Sequence, residues 1–359
     1  MFPPVLEHGG DAMATSAADD LFWWIERYID AAVCGVRPPA VQAKLVLHLE
    51  RFATFYKDVN GHTHLARCLP RDIAGWREHL CEKGQAPSTV NNHLASLGGF
   101  MGWLEKKAGF VFALGNPTQG IGTLPLPPLE PRALNLAQVR SLKNICDRLK
   151  LLHSVPHGDN AAPQLPSRSR PGRDRAIVFV LLSTGLRRDE LVQLNLAQLE
   201  HPSSAALRAC RKAHLFGVRG KGKTRRTVFL SLDARLAVAD YLADERPRDA
   251  ACSESPQALF LSAYGAPDRR PCGRLSGRSI NYIVSQIGRW HDAEVTDPSR
   301  RIVPLRPHDL RHTFAFLLAK VTNADVFELE RRLGHRSQRY IHRYTNPPEE
   351  VAAGYVERF

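Results

Sequence analysis

The sequence predicts a mainly α-helical chain with a small β-sheet in its C-terminal part, an α+β arrangement in two domains. Three observations support this. Apolar residues recur at helical spacing through the first 110 residues, and a proline-rich stretch then interrupts the pattern. The second part contains one pair of short runs rich in β-branched and aromatic residues around a turn. The length, 359 residues, suits about two ordinary domains.

The first part is predicted to be an all-helical bundle over residues 20–117, preceded by a disordered tail at 1–19. A glycine at the end of the stretch 71–84 favours a helix stop. Ser88 is placed to cap the next helix through its hydroxyl. Prolines in 118–132 prevent a continuous helix and stiffen the chain, so this stretch is predicted to be a linker.

The second part, residues 133–359, is predicted to be mostly helical. The runs HLFGVRG and RRTVFLS predict two β-strands that flank a basic turn, KGKT. A polar segment with several prolines at 153–172 is predicted to be a disordered loop, although its arginines would also suit contact with DNA.

Composition favours a polyanionic partner, because the net charge is +13 and the sequence pI is about 9.7. The seven cysteines are scattered without a CxxC pair, which argues against a disulfide framework and suits a reducing compartment. No apolar run is long enough for a membrane span, and the N-terminus lacks the pattern of a secretory signal. The expected location is therefore the cytoplasm.

Four short stretches contain candidate catalytic residues: STGLRRDELVQL, VRGKGKTRRTV, RPHDLRHTFAFLL and RRLGHRSQRYIHRYTNPP. Each alone also suits an ordinary surface or core role. His308 and His312 have a metal-ligand spacing, but Asp309 stands where the HExxH frame of a zinc hydrolase needs glutamate. No metal is therefore predicted, and the zinc hydrolase is the weakest alternative.

Taken together, the four stretches resemble the tyrosine recombinase (phage integrase) family over about residues 20–359. The resemblance implies an N-terminal core-binding, SAM-like bundle and a C-terminal catalytic domain that form a C-shaped clamp on DNA. It implies a site-specific recombinase or integrase that cuts and rejoins DNA through a 3′-phosphotyrosine intermediate, for integration, excision or transposition of a mobile element, without a cofactor. Arg332, where the family more often has leucine, departs from the pattern.

The resemblance also implies roles for individual residues. Two arginines would grip the scissile phosphate, a hairpin lysine would protonate the leaving 5′ oxygen, two histidines would assist, and a tyrosine would attack. In that order these are Arg187, Arg311, Lys221, His308, His335 and Tyr344. Tyr340 is a rival nucleophile by position. Further DNA contacts are expected from the basic hairpin and from the last helix of the bundle, at Arg219, Lys223, Arg225, Arg226, Ser88, Thr89, Asn91 and Asn92.

These residue types suit the chemistry. Guanidinium groups remain charged at any working pH and can hold phosphate oxygens bidentately. A phenol with a pKa near 10 needs neighbouring cations and a base to become a good nucleophile. Fixed positive groups around the phosphate stabilise the charge that builds in the transition state, as a metal ion does in other enzymes.

The implied partner is double-stranded DNA, bound by a homotetramer that bridges two sites. A short amphipathic tail after Pro347–Pro348 would dock on a neighbouring subunit. Two alternatives stay open: a type IB topoisomerase, which rejoins the same strand, and a non-catalytic DNA-binding protein on the same fold. The target sequence cannot be read from the chain, because specificity depends on base contacts and DNA shape.

Overall fold

A computed structural model describes residues 19–126, 132–154, 166–220 and 224–334. The chain divides into two compact units, Met1–Leu129 and Glu130–Phe359. Over the described residues the fold is mainly helical with one small antiparallel sheet, as the sequence predicts. The predicted tail lies outside the described residues except for Asp19, whose carboxylate accepts a hydrogen bond from the backbone N–H of Ala66 at 2.7 Å.

The N-terminal unit is a helical bundle. Its helices are α1 Leu21–Tyr28, which continues as a π-helical turn at Ile29–Val33, then α2 Pro39–Asn60, α3 Pro70–Glu82 and α4 Pro87–Lys106. Large aromatic and aliphatic side chains from all four helices form one buried core. Ser88 does not cap α4, because the helix begins one residue earlier at Pro87 and no side chain caps it. Proline suits that first position because its missing N–H would have no partner there.

The stretch 118–126, part of the predicted linker, packs against this bundle. The side chain of Asn91 donates to the carbonyl of Leu124 at 2.9 Å and accepts from its N–H at 2.8 Å. Ile121 and Leu124 also contact the apolar core. The segment 118–126 is therefore held by the N-terminal unit through both polar and apolar contacts.

Two stacked histidines lie inside the bundle. The rings of His48 and His93 are 3.7 Å apart between centroids, and both side chains are almost fully buried. Nδ1 of His48 hydrogen-bonds the hydroxyl of Ser96 at 2.9 Å, whereas Nδ1 of His93 has no hydrogen-bond partner within the described residues. Burial lowers the pKa of His93 to about 4, and the positive charges nearby act in the same direction.

The C-terminal unit is built around a helix that is buried on nearly all sides, α7. The α-helices among the described residues of this unit are α5 Leu136–Asp147, α6 Leu149–His153, α7 Pro171–Thr184, α8 Arg188–Gln193, α9 Ser204–Ala209, α10 Leu232–Asp244, α11 Arg246–Ala251, α12 Gly277–Glu294, α13 Pro307–Val321 and α14 Val326–Leu333. Helices α5, α10 and α13 pack on α7.

The sheet is the predicted hairpin, with β1 Ala213–Arg219 antiparallel to β2 Arg225–Leu230. At its tip the N–H of Gly220 donates to the carbonyl of Thr224 at 2.8 Å. Within the described ranges no helix is long and apolar enough to cross a membrane.

Residues 155–165 of the predicted loop at 153–172 lie outside the described ranges, whereas its two ends are described. His153 ends α6, Pro171 and Gly172 begin α7, and Nδ1 of His153 hydrogen-bonds the hydroxyl of Ser169. The Arg170 guanidinium is 4% exposed and forms a bidentate pair with the fully buried Asp249, with both bonds at 2.7 Å. The prediction of disorder was therefore wrong for residues 166–172, and Arg170 is not positioned for DNA.

Candidate active site

Arg187 is placed by the turn between α7 and α8. Helix α7 ends at Gly185, whose φ of +60° is a left-handed conformation that glycine adopts without strain. A Cβ on Gly185 would lie 2.3 Å from Cδ1 of Phe314 on α13. The absence of a side chain at Gly185 thus lets α13 approach the end of α7 closely and sets Arg187 at the start of α8.

Arg311 is held between two backbone carbonyls. It lies on α13 and is 1% exposed. Its Nη1 donates to the carbonyl of Gly185, and its Nη2 donates to the carbonyl of Leu333 at 2.7 Å. The guanidinium therefore links the end of α7 to the end of α14, directly before the stretch that begins at His335.

His308 lies one turn before Arg311 on the first turn of α13, and its ring contacts His312 at 4.3 Å between centroids. Loss of hydration lowers the pKa of His308, and the positive charges of Arg311 and Arg187 lower it further against the attraction of Asp309. His308 is therefore neutral at pH 7, in the form that can accept a proton. Together with Arg187, its side chain lines an open groove between α8, α12 and the start of α13.

Glu190 joins the arginines of this site, a role that the sequence interpretation missed. Its carboxylate accepts from the backbone N–H of Arg187 at 2.8 Å and from Nη1 of Arg187 at 2.9 Å. It also accepts two bonds from Arg226, at 3.0 and 2.7 Å, and lies 4.0 Å from Nη1 of Arg311. The spacing of Glu190 three residues after Arg187 was the available signal, because such residues share a helix face.

Electrostatics keep Glu190 ionised. Burial alone would raise its pKa, but the hydrogen bonds and charge of Arg226, followed by those of Arg187, outweigh burial and lower the pKa. The carboxylate is therefore a fixed negative point that orients Arg187. The Glu190 carboxylate binds one terminal nitrogen of Arg187, and the Arg187 side chain remains 35% exposed.

Arg226 was predicted to contact DNA, but in the structure its side chain binds other parts of the protein. Its side chain is 8% exposed, both terminal nitrogens bind Glu190, and Nε donates to the carbonyl of Arg332 at 2.8 Å. Arg225, its neighbour on β2, is exposed, as is Arg219 opposite it on β1. Adjacent strand residues face opposite sides of a sheet, so only one of the two β2 arginines can face outward.

The remaining predicted residues divide into two groups. On α4, Ser88 and Asn92 are exposed and Thr89 is partly exposed, whereas the side-chain amide of Asn91 is used in holding Leu124. Lys221, Lys223, His335, Tyr340 and Tyr344 lie outside the described residues. Of the six predicted catalytic residues, the structure describes Arg187, His308 and Arg311, and it brings them together.

Comparisons with known proteins identify the family of the chain. Residues 159–350 match the profile of the phage integrase family. The chain is 31% identical over 289 residues to tyrosine recombinase XerC 1 of Ralstonia nicotianae, covering 79% of this chain and 76% of that protein. It is 27% identical over 265 residues to tyrosine recombinase XerC of Caldanaerobacter subterraneus subsp. tengcongensis, covering 74% of this chain and 61% of the relative.

The fold is also similar to a solved structure, that of the Tn1549 transposon integrase in complex with transposon right end DNA. The TM-score is 0.63 at 17% identity, over 95% of this chain and 99% of the other. An identity this low supports the shared fold alone. Membership of the family is instead supported by sequence, through the family profile and the XerC 1 relative. The chain therefore belongs to the phage integrase family and is a site-specific recombinase that breaks and rejoins DNA.

Proposed function

We propose that this recombinase cuts duplex DNA with Tyr344 as the nucleophile, and that Arg187, Arg311 and His308 act on the scissile phosphate. The observation that carries the proposal is that Arg187 and Arg311 converge on Glu190, and that His308 lies close enough to both arginines for their charges to lower its pKa. Arg187 lines the groove and the Arg311 guanidinium lies 4.0 Å from Glu190, and guanidinium groups are donors suited to the phosphate of a phosphodiester.

In the proposed reaction the Tyr344 oxygen attacks phosphorus and forms a 3′-phosphotyrosine, while the bond to the 5′ oxygen breaks. Lys221 gives that leaving oxygen its proton, and His308 and His335 assist proton transfer at the phosphate. Attack of a 5′ hydroxyl on the phosphotyrosine reverses these steps and joins a strand. Arg187 and Arg311 stabilise the additional negative charge in both directions.

Duplex DNA is the proposed partner, gripped by both units. In the C-terminal unit the exposed Arg219 and Arg225 supply charge at the hairpin, together with Lys223, and in the N-terminal unit α4 presents Ser88, Thr89 and Asn92. We propose a homotetramer on two sites, working in the cytoplasm. In that assembly the C-terminal tail after Pro348 docks on the neighbouring subunit, so a variant that ends after Tyr344 should bind DNA but lose recombination.

The test is covalent capture of DNA. A library of nicked duplexes with a randomised centre traps the covalent complex, because the short strand released beyond the nick does not return. Wild-type protein should yield an adduct that survives denaturation, and sequencing the trapped DNA reads out the target. Tyr344→Phe should bind the selected DNA and yield no adduct, whereas the control Tyr340→Phe should still yield one.

Three outcomes would contradict the proposal. An adduct formed by Tyr344→Phe would remove that residue as the nucleophile. Absence of an adduct from any member of the library, with binding retained, would favour a non-catalytic DNA-binding protein. Relaxation of supercoiled plasmids that lack the selected sequence would favour a type IB topoisomerase.

A further inference from the structure

The β2 strand and the end of α14 are joined by a reciprocal pair of arginine contacts. Arg226 on β2 donates from Nε to the carbonyl of Arg332 at 2.8 Å. Arg332 on α14 donates from Nη1 to the carbonyl of Thr227 at 3.2 Å, pairs with Glu328, and lies over the ring of Phe229 at 4.6 Å. Each arginine thus binds the backbone of the other element.

The same Arg226 side chain also binds Glu190, the carboxylate that orients Arg187. Its two terminal nitrogens occupy both carboxylate oxygens of Glu190, in the bidentate geometry that fixes a carboxylate most firmly. Because the pair is about nine-tenths buried, water competes weakly for these bonds. Glu190 in turn holds the backbone and one side-chain nitrogen of Arg187.

Close packing at Gly334 makes this contact sensitive to position. Gly334 has a φ of +64° and ends α14, and a Cβ there would lie 3.1 Å from Nη1 of Arg226. The guanidinium therefore packs directly on the residue that precedes His335. A shift of Arg226 would therefore disturb both the end of α14 at Gly334 and the carboxylate that orients Arg187.

We propose that Arg226 is a positioning residue of the recombination reaction. It couples the Glu190–Arg187 pair to the end of α14, and so orients Arg187 on the phosphate without Arg226 touching DNA. The inference rests on the proposed function, because it assigns Arg226 to the same phosphate site. It also accounts for an arginine at position 332, where the family more often has leucine: that side chain completes the reciprocal contact.

The experiment measures single-turnover formation of the covalent adduct at saturating DNA, using the duplex selected with wild-type protein. Arg226→Gln should lower the rate constant by about tenfold to a hundredfold, since misplacement of about 1 Å costs that much. The dissociation constant for DNA should change less than about threefold, because a buried side chain releases no counterion from the DNA. Arg226→Lys keeps the charge but not the bidentate geometry, and should recover part of the rate.

The pH profile separates positioning from a general loss of structure. Arg226 holds the pKa of Glu190 low, so in Arg226→Gln burial should raise that pKa. Adduct formation by this variant should then fall as the pH decreases from 7.5 to 5.5, more steeply than for wild type. Replacing Glu190 by glutamine in the same variant should remove the additional loss, because the side chain that titrates is gone.

Two matched variants serve as controls. Arg225→Gln removes an exposed charge from the same strand and should weaken DNA binding while leaving the pH profile of wild type. Arg331→Gln removes an exposed charge from α14, and its rate and pH profile should stay those of wild type. Thermal unfolding of each variant establishes that it is folded under assay conditions.

The inference is overturned if Arg226→Gln has the same rate constant and pH profile as Arg225→Gln. It is also overturned if the losses of Arg226→Gln and Glu190→Gln multiply in the double variant, because residues acting through one another do not give independent losses. Neither of these two results would contradict the proposed function. An adduct formed by Tyr344→Phe would contradict the proposed function itself.

Discussion

Nη2 of Arg311 donates a hydrogen bond to the backbone carbonyl of Leu333, 22 positions later in the chain, at 2.7 Å. With the bond from Nη1 to the carbonyl of Gly185, this contact joins the ends of α7 and α14 through one guanidinium. The residue proposed to grip the phosphate is therefore also a structural link, and its replacement has consequences for both stability and activity.

Arg311→Lys should lower both the stability of the C-terminal unit and the rate of adduct formation. A single ammonium group does not reproduce two terminal nitrogens that bond carbonyls at the ends of two helices. A buried carbonyl left without a partner costs about 1–3 kcal/mol, so the free energy of unfolding of the C-terminal unit should decrease by about 2 kcal/mol. Adduct formation should fall by about a hundredfold or more. Chemical denaturation and covalent capture measure the two effects.

The control for Arg311→Lys is Arg300→Lys, an exposed position in the same unit. It should change the free energy of unfolding by less than about 0.5 kcal/mol. Wild-type stability and activity in Arg311→Lys would contradict the structural link and the grip on the phosphate alike.

Gly185→Ala should destabilise the C-terminal unit by about 3 kcal/mol. A left-handed conformation costs a residue with a Cβ about 1–2 kcal/mol, and the contact at 2.3 Å with Phe314 adds overpacking. Adding Phe314→Leu should recover only part of the loss, since it relieves the contact but not the backbone strain. Denaturation followed by circular dichroism measures each variant.

Gly102 on α4 is the matched position for this substitution, because it lies in a helix interior with nothing within 4 Å of an added Cβ. There Gly102→Ala should stabilise its unit by about 0.5–1 kcal/mol. Equal effects at positions 102 and 185 would refute the packing argument.

The stacked histidines make the N-terminal unit less stable in acid. The pKa of His93 is about 4 in the folded protein and about 6.5 in an unfolded chain, so the unfolded state binds more protons between these values. Stability should be fully present above about pH 6.5 and decrease, by on the order of 2 kcal/mol, as the pH falls to about 4. Lys44 and Arg51 act in the same direction.

Tryptophan fluorescence suits this measurement, because four of the five tryptophans, Trp23, Trp24, Trp76 and Trp103, belong to the N-terminal unit. His93→Phe keeps an aromatic ring in the stack and should flatten the dependence on pH, whereas the partly exposed His62→Gln should retain it. An unchanged slope in His93→Phe would exclude His93 as its source.

Chelation of divalent metal ions should leave adduct formation within about twofold of the untreated rate. The proposed site stabilises the phosphate with Arg187 and Arg311, which already carry the positive charge that a metal would bring. Asp309, beside the His308–His312 pair, uses its carboxylate to accept the backbone N–H of Arg306 at 2.8 Å and so caps α13. Abolition of activity by a chelator, with recovery on adding zinc, would instead favour the hydrolase alternative.

Periodicity and end signals in the sequence predicted most of the helices and both strands. The order of α7, Gly185 and α8 follows from an apolar run closed by glycine, and the hairpin from two alternating runs around KGKT. The predicted capping role of Ser88 was wrong because Pro87, a favourable first residue of a helix, begins α4 one position earlier.

The side-chain partners were harder to predict. A run of basic residues does not say which of them finds a buried carboxylate, and Arg226 meets Glu190 across 36 positions of sequence. Arg170 likewise meets Asp249 across 79 positions. Such long-range pairs depend on how the helices pack, which local patterns do not encode.

The two ends of the segment that follows α6 are held together independently of what lies between them. His153 forms a hydrogen bond with Ser169, and the next residue, Arg170, is fixed by its pair with Asp249. Doubling the length of a flexible insertion between fixed ends costs only about 0.6 kcal/mol in closure entropy. A foreign domain inserted between these two ends should therefore cost little stability, and through it this recombinase could be directed to a chosen locus without altering its catalytic residues.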